Sequence, residues 1–501
     1  MPHLQPFDQS GVARGADGMA RYQDRPGSLV EMLRRAVEKS PENEAIVEVG
    51  GERATYRQLW ERAARVAGGL RSLGVEPGDR VAIRLGNSLD WCLAFFGIQM
   101  AGAIAVPVNT RFNDSEAGYV VEDSGSKFVF LPQQRLPDGP ATAVEDLEPE
   151  DVAAIFYTSG TTGFPKGTIT THEGFLSNTE TCRRVADTGD ESLRNLISVP
   201  LFHVTGCNSQ LLPTCEKGGT SVILPAFQVQ TFLRAIEAER IDIVTSVPAI
   251  FWLAMNQPNF NQIDRSSVRW ATYGGASAPP DLVTRIAEAF PNARTGNGFG
   301  LTESCSVATY LPHEYTRTRA ETVGFAAPVV DLRLDRCMGD AQVGELLIRG
   351  PNVAPGYWNK PEATAQTFAD GWLHSGDVAR IDEQGFVTIV DRIKDMVNRG
   401  GENVYCVEVE NVLAAHPAVF EVAVVGVPDK MMGEKVGAVV VPKPGSTAEP
   451  REIVEFASTR LADFKVPQYV LVRSEMLPRN PSGKVLKGEL RKIEAWGKPL
   501  F

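Results

Sequence analysis

Between about Ser28 and Pro225, stretches with helical spacing such as LVEMLRRAVEKS and YRQLWERAARVAGGLRSLG alternate with short β-rich runs, RVAIRL, AIAVPVN and SVIL. A chain that keeps switching between these two periods has to bury both kinds of face in layers, so the expected fold class is α/β. The alternation continues downstream. QTFLRAIEAERIDIVTSVP reads as a helix and a strand, and VRWATYGGA as a strand that ends in glycines. Ligands collect at such carboxyl ends of strands.

After Gly344 the pattern changes to alternating segments, GELLIRG and GFVTIVDRIKD, that read as antiparallel hairpins. Helix-strand units follow, VEVENVLAAHPAVFEVAVVGVPD and REIVEFASTRLADF. With 501 residues the chain exceeds one comfortable core, so more than one domain is expected. The natural cut lies near Asp391 to Asp395. It leaves a large N-terminal domain of layered α/β subdomains over 28–391 and a small α+β domain over 392–501. Residues 1–27 are polar and lack the apolar core of a signal peptide, so they read as a disordered extension of a chain that is not secreted. The most apolar run, WCLAFFGIQMAGAIAVPV, is broken by Gln99, two glycines and Pro107, and reads as core rather than a transmembrane segment.

One stretch has almost nothing to pack. YTSGTTGFPKG, Tyr157 to Gly167, offers backbone N–H groups, hydroxyls and one ammonium, the donors that solvate phosphate. The familiar phosphate loop ends in Gly-Lys-Ser/Thr and turns directly into a helix. Here Pro165-Lys166-Gly167 stands in that place, so the stretch is a different phosphate device or a flexible tether.

The formal net charge is -12, from 50 Lys and Arg against 62 Asp and Glu, which argues against a broad nucleic-acid-binding face. Seven cysteines are scattered, odd in number and never spaced as CxxC. That usage suits a reducing, cytoplasmic compartment and buried thiols rather than a disulfide framework or a zinc site.

Four further motifs follow the glycine-threonine loop: GNGFGLTES from Gly296, WLHSGD from Trp372, DRIKDMVNRGGENVY from Asp391 and PRNPSGK from Pro478. With all five in this order, the chain from about Ser28 to Lys487 resembles the adenylate-forming superfamily, in its acyl-CoA synthetase branch. The resemblance implies ATP and magnesium as cofactors and coenzyme A as co-substrate. Thr158, Ser159, Gly160, Thr161, Thr162, Gly163 and Lys166 would close over the β- and γ-phosphates. Gly274, Gly275, Ala276 and Ser277 would form one wall of the adenine slot. Asn297, Gly298 and Phe299 would form the other, with Phe299 standing where the family usually has tyrosine, so a ring is kept and a hydroxyl lost. Thr302 would contact the α-phosphate, and Glu303 would hold magnesium, which prefers carboxylate and phosphate oxygen. Asp377 would accept from the ribose hydroxyls beside Arg392, and Ile389 joins this nucleotide-binding set. Lys394 matches the hinge about which the C-terminal lid would swing. Lys484 would offset charge on the α-phosphate and the acid during adenylation, and Gly400, Gly401 and Glu402 would rotate in to form the thioester face.

In PLFHVTGCNSQ, Phe202-His203 stands where amino-acid-activating relatives place Phe-Asp. A buried α-ammonium needs a carboxylate partner, so amino-acid activation is rejected. His203 matches the gate residue of acyl- and aryl-CoA synthetases, and a satisfied core histidine is the plainer alternative. By resemblance, His203, Val204, Cys207, Tyr273, Gly274, Gly298 and Phe299 line a pocket for a hydrophobic acid, fatty or aryl. The expected partners are a small carboxylic acid, ATP and CoA, with a homodimer left open. No carrier-protein domain follows, which favours free CoA as acceptor. Two alternatives stay open: an enzyme that loads its adenylate onto a carrier protein, and a non-catalytic nucleotide-binding regulator.

Overall fold

The computed structural model describes residues 4–158, 164–276, 278–335, 343–479, 485–493 and 496–501. Among them, nine strands form one sheet in the spatial order Phe325–Ala326, Thr309–Leu311, Arg294–Phe299, Trp270–Gly274, Ile243–Ser246, Arg194–Ile197, Thr220–Ile223, Glu44–Glu48 and Arg53–Thr55. The six strands from Arg294–Phe299 to Glu44–Glu48 run parallel, and the flanking ones are antiparallel. A second sheet has the order Ser126–Phe130, Arg80–Ile83, Ile104–Pro107, Val152–Thr158 and Lys166–Thr171. It is parallel except for its last pair. Parallel strands need crossover helices on their faces, and this is what the alternating sequence supplies.

The run from Trp91 to Val108 folds as the helix Leu89–Met100 followed by the strand Ile104–Pro107. Every residue of the helix except Asp90 is buried, which is why it is apolar nearly all round, and Trp91 stacks on Phe95 with ring centroids 5.3 Å apart. Gly97 lets it lie close against the helix Tyr56–Ser72, since a Cβ there would come 2.6 Å from Val66 Cγ1. Among the described residues, no helix is long and apolar enough to cross a membrane.

The expectation that residues 1–27 are disordered is corrected over 4–27, residues 1–3 lying outside the described residues. Val12–Arg14 pairs antiparallel with Ala20–Tyr22, and Phe7 is buried edge-on against Tyr310 and Phe325. Arg14 grips Asp331 with bonds of 2.7 and 2.9 Å, while Arg21 and Arg25 converge on Glu173 at 3.0 and 2.5 Å. A polar segment with no core of its own is thus ordered by charges and rings supplied from far along the chain.

Packing divides the chain into two units. One comprises Met1–Arg333, Leu347–His374 and Glu383–Gly385; the other comprises Leu334–Leu346, Ser375–Asp382 and Phe386–Phe501. This division differs from the expected cut at 391 and 392. The physical reason is strand pairing: Asp377 through Ile381 lie antiparallel to Val387 through Arg392, so the earlier strand travels with the later one. In the second unit, Glu402–Val404, Val397–Arg399, Gly433–Pro442 and Val419–Asp429 form a sheet, with Tyr469–Val472 parallel to Gly433–Pro442. The helices Cys406–Ala414 and Pro450–Ser458 bury Val409, Leu413, Ile453 and Ala457 with Val424, Val436 and Val440 of that sheet.

Candidate active site

The glycine-threonine loop joins two antiparallel strands. Thr158 at the end of one pairs with Lys166 at the start of the next, so the loop crowns a hairpin and does not open a helix. Ser159, Gly160, Thr161, Thr162 and Gly163 lie outside the described residues. Phe164 is exposed, yet its ring stacks on Tyr119 at 4.6 Å, which anchors the returning end. From that end the Lys166 ammonium sits over the ring of Tyr357, 5.0 Å from its centroid. The same tyrosine donates its hydroxyl to Glu303 Oε1 at 2.8 Å. Burial, followed by the charge of Glu303, pushes the Tyr357 phenol above its ordinary pKa, so it stays protonated as a donor. Among the described residues Glu303 makes no ion pair. A carboxylate steadied at one oxygen, with no cation already beside it, fits a magnesium ligand.

Thr302 and Glu303 ride on the single turn Thr302–Ser304, which follows the strand Arg294–Phe299. The chain then doubles back through two non-glycine residues at positive φ, Cys305 at 55° and Ser306 at 113°. That reversal drives the Ser306 carbonyl against Gly300, where a Cβ would lie 1.4 Å from the oxygen. Neighbouring groups hold the turn. Asn352 Nδ2 donates to the Ser304 and Val307 carbonyls, Asn208 Nδ2 to the Cys305 carbonyl, and Ala354 N–H to the Glu303 carbonyl. Nearby, Gly274 approaches the next strand so closely that a Cβ would meet the Gly298 carbonyl at 2.3 Å. Gly275 at φ 74° turns the chain outward, leaving Gly275 and Ala276 exposed; Ser277 is outside the described residues. Phe299 is half-buried. The Asn297 amide is buried and donates to the Thr322 carbonyl at 3.4 Å.

His203 precedes a short helical turn, Val204–Gly206, that continues into a π-helical turn, Cys207–Leu211. Asn87 staples the approach to it, accepting from Leu201 N–H at 2.8 Å and donating to the Val199 carbonyl at 2.9 Å. The half-buried His203 ring packs at 4.7 Å against Phe202. Of the other pocket candidates, Val204 is half-buried beside it. Cys207 is wholly buried among Leu201, Leu211 and Cys305, and Tyr273 belongs to a different cluster with Phe232, Phe251 and Phe290. Both of these side chains are thus buried in hydrophobic clusters.

In the second unit, Asp377 and Arg392 face each other across a strand pair, with Arg392 Nε 2.6 Å from Asp377 Oδ1. Asp377 is only 2% exposed, so its charge is fixed in place by that partner. Ile389 lies half-buried on the same strand as Arg392, and Lys394 just beyond it is exposed. Gly400 and Gly401, at φ 62° and 96°, are the two central residues of a hairpin turn closed by Arg399 and Glu402. Such a turn demands positive φ at both positions, which accounts for the glycine pair locally. Lys484 is outside the described residues, but the ends of its loop are pinned. Arg479 bridges Val485, Leu486 N–H donates to the Pro478 carbonyl at 2.8 Å, and Lys487 meets Glu410 at 2.7 Å.

Three of these features were not read from the sequence: Tyr357, Asn352 and the Gly300–Ser306 contact. A Gly-Tyr-Trp run after Pro355 is the one local signal that could have drawn notice to Tyr357.

A family model described as AMP-binding enzyme matches residues 33–144 and 131–358, and one described as AMP-binding enzyme C-terminal domain matches residues 408–484. The chain belongs to the AMP-binding enzyme family. Within it, this member falls in the acyl-CoA synthetase branch of acid–thiol ligases. It is 38% identical over 467 residues to a feruloyl-CoA synthase of Amycolatopsis sp, covering 88% of this chain and 94% of that protein. To the long-chain-fatty-acid–CoA ligase FadD13 of Mycobacterium tuberculosis it is 36% identical over 494 residues, covering 92% and 97%. Among solved structures, an o-succinylbenzoate CoA synthetase from Bacillus subtilis in complex with its acyl-adenylate intermediate superposes with a TM-score of 0.83 at 28% identity, covering 94% of this chain and 99% of that one.

Proposed function

We propose that this ligase activates a hydrophobic acid, a medium- or long-chain fatty acid or an aryl acid, and transfers it to free coenzyme A with magnesium as the resident metal. The observation that carries the reading is the set Lys166, Tyr357 and Glu303, which presents one cation and one metal-ready carboxylate at the mouth of a hydroxyl-rich loop. Relatives named for feruloyl and long-chain fatty acids support a hydrophobic substrate, as does the absence of a carboxylate at His203.

In the first half-reaction the substrate carboxylate attacks the α-phosphorus of ATP and pyrophosphate leaves. Lys166 and the loop from Thr158 to Gly163 solvate the charge on the departing phosphates, and Thr302 contacts the α-phosphate. Glu303 would hold magnesium, which when bound neutralises phosphate charge. Asp377 and Arg392 orient the ribose of the same nucleotide. Lys484 balances charge on the α-phosphate and the acid. In the second half-reaction the CoA thiol attacks the acyl carbonyl and AMP leaves, after the C-terminal lid has turned about Lys394 to bring Gly400 to Glu402 forward.

The test is a panel of acids from propionate to palmitate, with benzoates and cinnamates, incubated with ATP, magnesium and free CoA. AMP, pyrophosphate and acyl-CoA should form with the longer fatty or the aryl acids. Adenylate without thioester would point to a carrier-protein acceptor, and no turnover of any acid would overturn the reading. Lys484→Ala should abolish pyrophosphate release while sparing thioester formation from supplied acyl-adenylate. Equal loss of both half-reactions would remove the role given to Lys484.

A further inference from the structure

Lys166 and Glu303 are opposite charges served by one side chain. Left to themselves, an ammonium and a carboxylate on neighbouring segments pair, and a paired site has neither charge to offer a nucleotide or a metal. No ion pair joins them among the described residues, and both meet the phenol of Tyr357: the ammonium lies on its ring face, 5.0 Å from the centroid, and the carboxylate takes its hydroxyl at 2.8 Å.

The tyrosine is held independently of both charges. Its backbone N–H donates to Thr364 Oγ1 at 2.9 Å, and Thr168 bridges it across the strand edge. Trp358 N–H donates to the Gly167 carbonyl at 2.7 Å, and Ile169 N–H to the Gly356 carbonyl at 3.1 Å. Its ring packs edge-on against Phe368 at 5.4 Å and is 8% exposed. The backbone that carries the ring is thus fixed by these bonds, and the ring itself is buried against Phe368.

We propose that Tyr357 is a positioning residue that keeps Lys166 and Glu303 apart and separately oriented, so that the cation stays available to nucleotide phosphate and the carboxylate to the metal. The inference rests on the nucleotide-binding reading above. Tyrosine is the side chain that serves both neighbours, since its face attracts a cation while its hydroxyl donates to an anion. Phenylalanine would keep the spacer and lose the donor; leucine would lose both.

The experiment measures binding rather than turnover, with two probes on the full chain: ATP in EDTA by calorimetry, and Mn2+ in the presence of saturating ATP by electron paramagnetic resonance. Tyr357→Phe should leave metal-free ATP affinity within about threefold of the parent while weakening Mn2+ about tenfold, the worth of one charge-assisted hydrogen bond. Tyr357→Leu should weaken both about tenfold, because Lys166 is then drawn to Glu303. The double variant Tyr357→Leu with Glu303→Gln should recover metal-free ATP binding, since no anion remains to capture the lysine. Structural damage would not be repaired by that second change. Equal losses of both ligands in Tyr357→Phe, or no recovery in the double variant, would overturn the proposal. An unmodified chain that binds no ATP would instead overturn the nucleotide-binding reading, and this inference with it.

Discussion

Gly300 tests how far the position of Glu303 depends on backbone packing. In Gly300→Ala the new methyl group would begin 1.4 Å from the Ser306 carbonyl oxygen and 3.0 Å from the Ala308 nitrogen. An ordinary carbon–oxygen contact is about 3.4 Å, so about 2 Å has to be found by moving one strand of the turn. The Ser306 side is poorly free to move. Ser306 N–H donates to the Leu301 carbonyl at 3.1 Å, Ser209 Oγ donates to Ser306 Oγ at 2.7 Å, and Val307 N–H donates to Asn178 Oδ1 at 2.9 Å. Both sides of the turn are held, so the displacement is shared and reaches Leu301, Thr302 and Glu303. Overpacking of this kind costs about 1–3 kcal/mol of stability. A shift of about 1 Å in catalytic groups costs about a hundredfold in rate. The expected result is a folded protein with a lower urea midpoint, unchanged slope, and acid-dependent pyrophosphate–ATP exchange down about a hundredfold. A variant with parental exchange and parental stability would refute the claim that this contact sets the turn.

Asp377→Asn should weaken ATP binding about tenfold or more, as expected when a charged hydrogen-bond acceptor is neutralised, and the penalty should largely vanish with 2′,3′-dideoxy-ATP. An equal penalty on both nucleotides would show that Asp377 acts only by holding Arg392. His172, 2% exposed, accepts from Leu29 N–H at 3.2 Å, and burial pushes its pKa down to about 4. The folded pKa lies below the unfolded value of 6.5, so the neutral ring contributes stability that is complete above about pH 6.5 and is lost as the pH falls towards 4. The difference amounts to about 3 kcal/mol. His172→Asn keeps an acceptor without a titrating proton and should flatten that part of the stability–pH curve; an unchanged curve would show that His172 is not its source.

The layered fold was legible because its signal is local. Helical and extended periods alternate within spans of 20 to 30 residues, and crossover packing follows from them. The candidate loop after Tyr157 stood out in the sequence because its glycines and threonines depart from anything a core could use. Tyr357 did not, since its meaning lies in Lys166 and Glu303, which are distant in sequence and brought together by strand pairing. The N-terminal arm failed for the same reason: Phe7, Arg14 and Arg25 have no periodic neighbours, and their partners Tyr310, Asp331 and Glu173 lie far along the chain. The glycine pair at 400 and 401 has a local reason as well as the proposed one. The hairpin turn by itself requires positive φ at both positions, so the sequence pattern does not separate a turn from a thioester face.

Under the role proposed for Tyr357, loop architecture accounts for the use of a tyrosine spacer. Where a phosphate loop runs into a helix, the helix N-terminus supplies oriented N–H groups and a fixed positive end, and the lysine is an addition to them. Here the chain leaves the loop as the strand Lys166–Thr171, after a proline that has no N–H to give. A strand end carries no comparable dipole. More of the electrostatic work therefore falls on the ammonium of Lys166, a mobile point charge on a flexible stem that would otherwise search for the nearest carboxylate. Fixing it over an aromatic face, with the competing carboxylate held at the far end of the same ring, gives a strand-borne lysine the orientation that a helix would have provided.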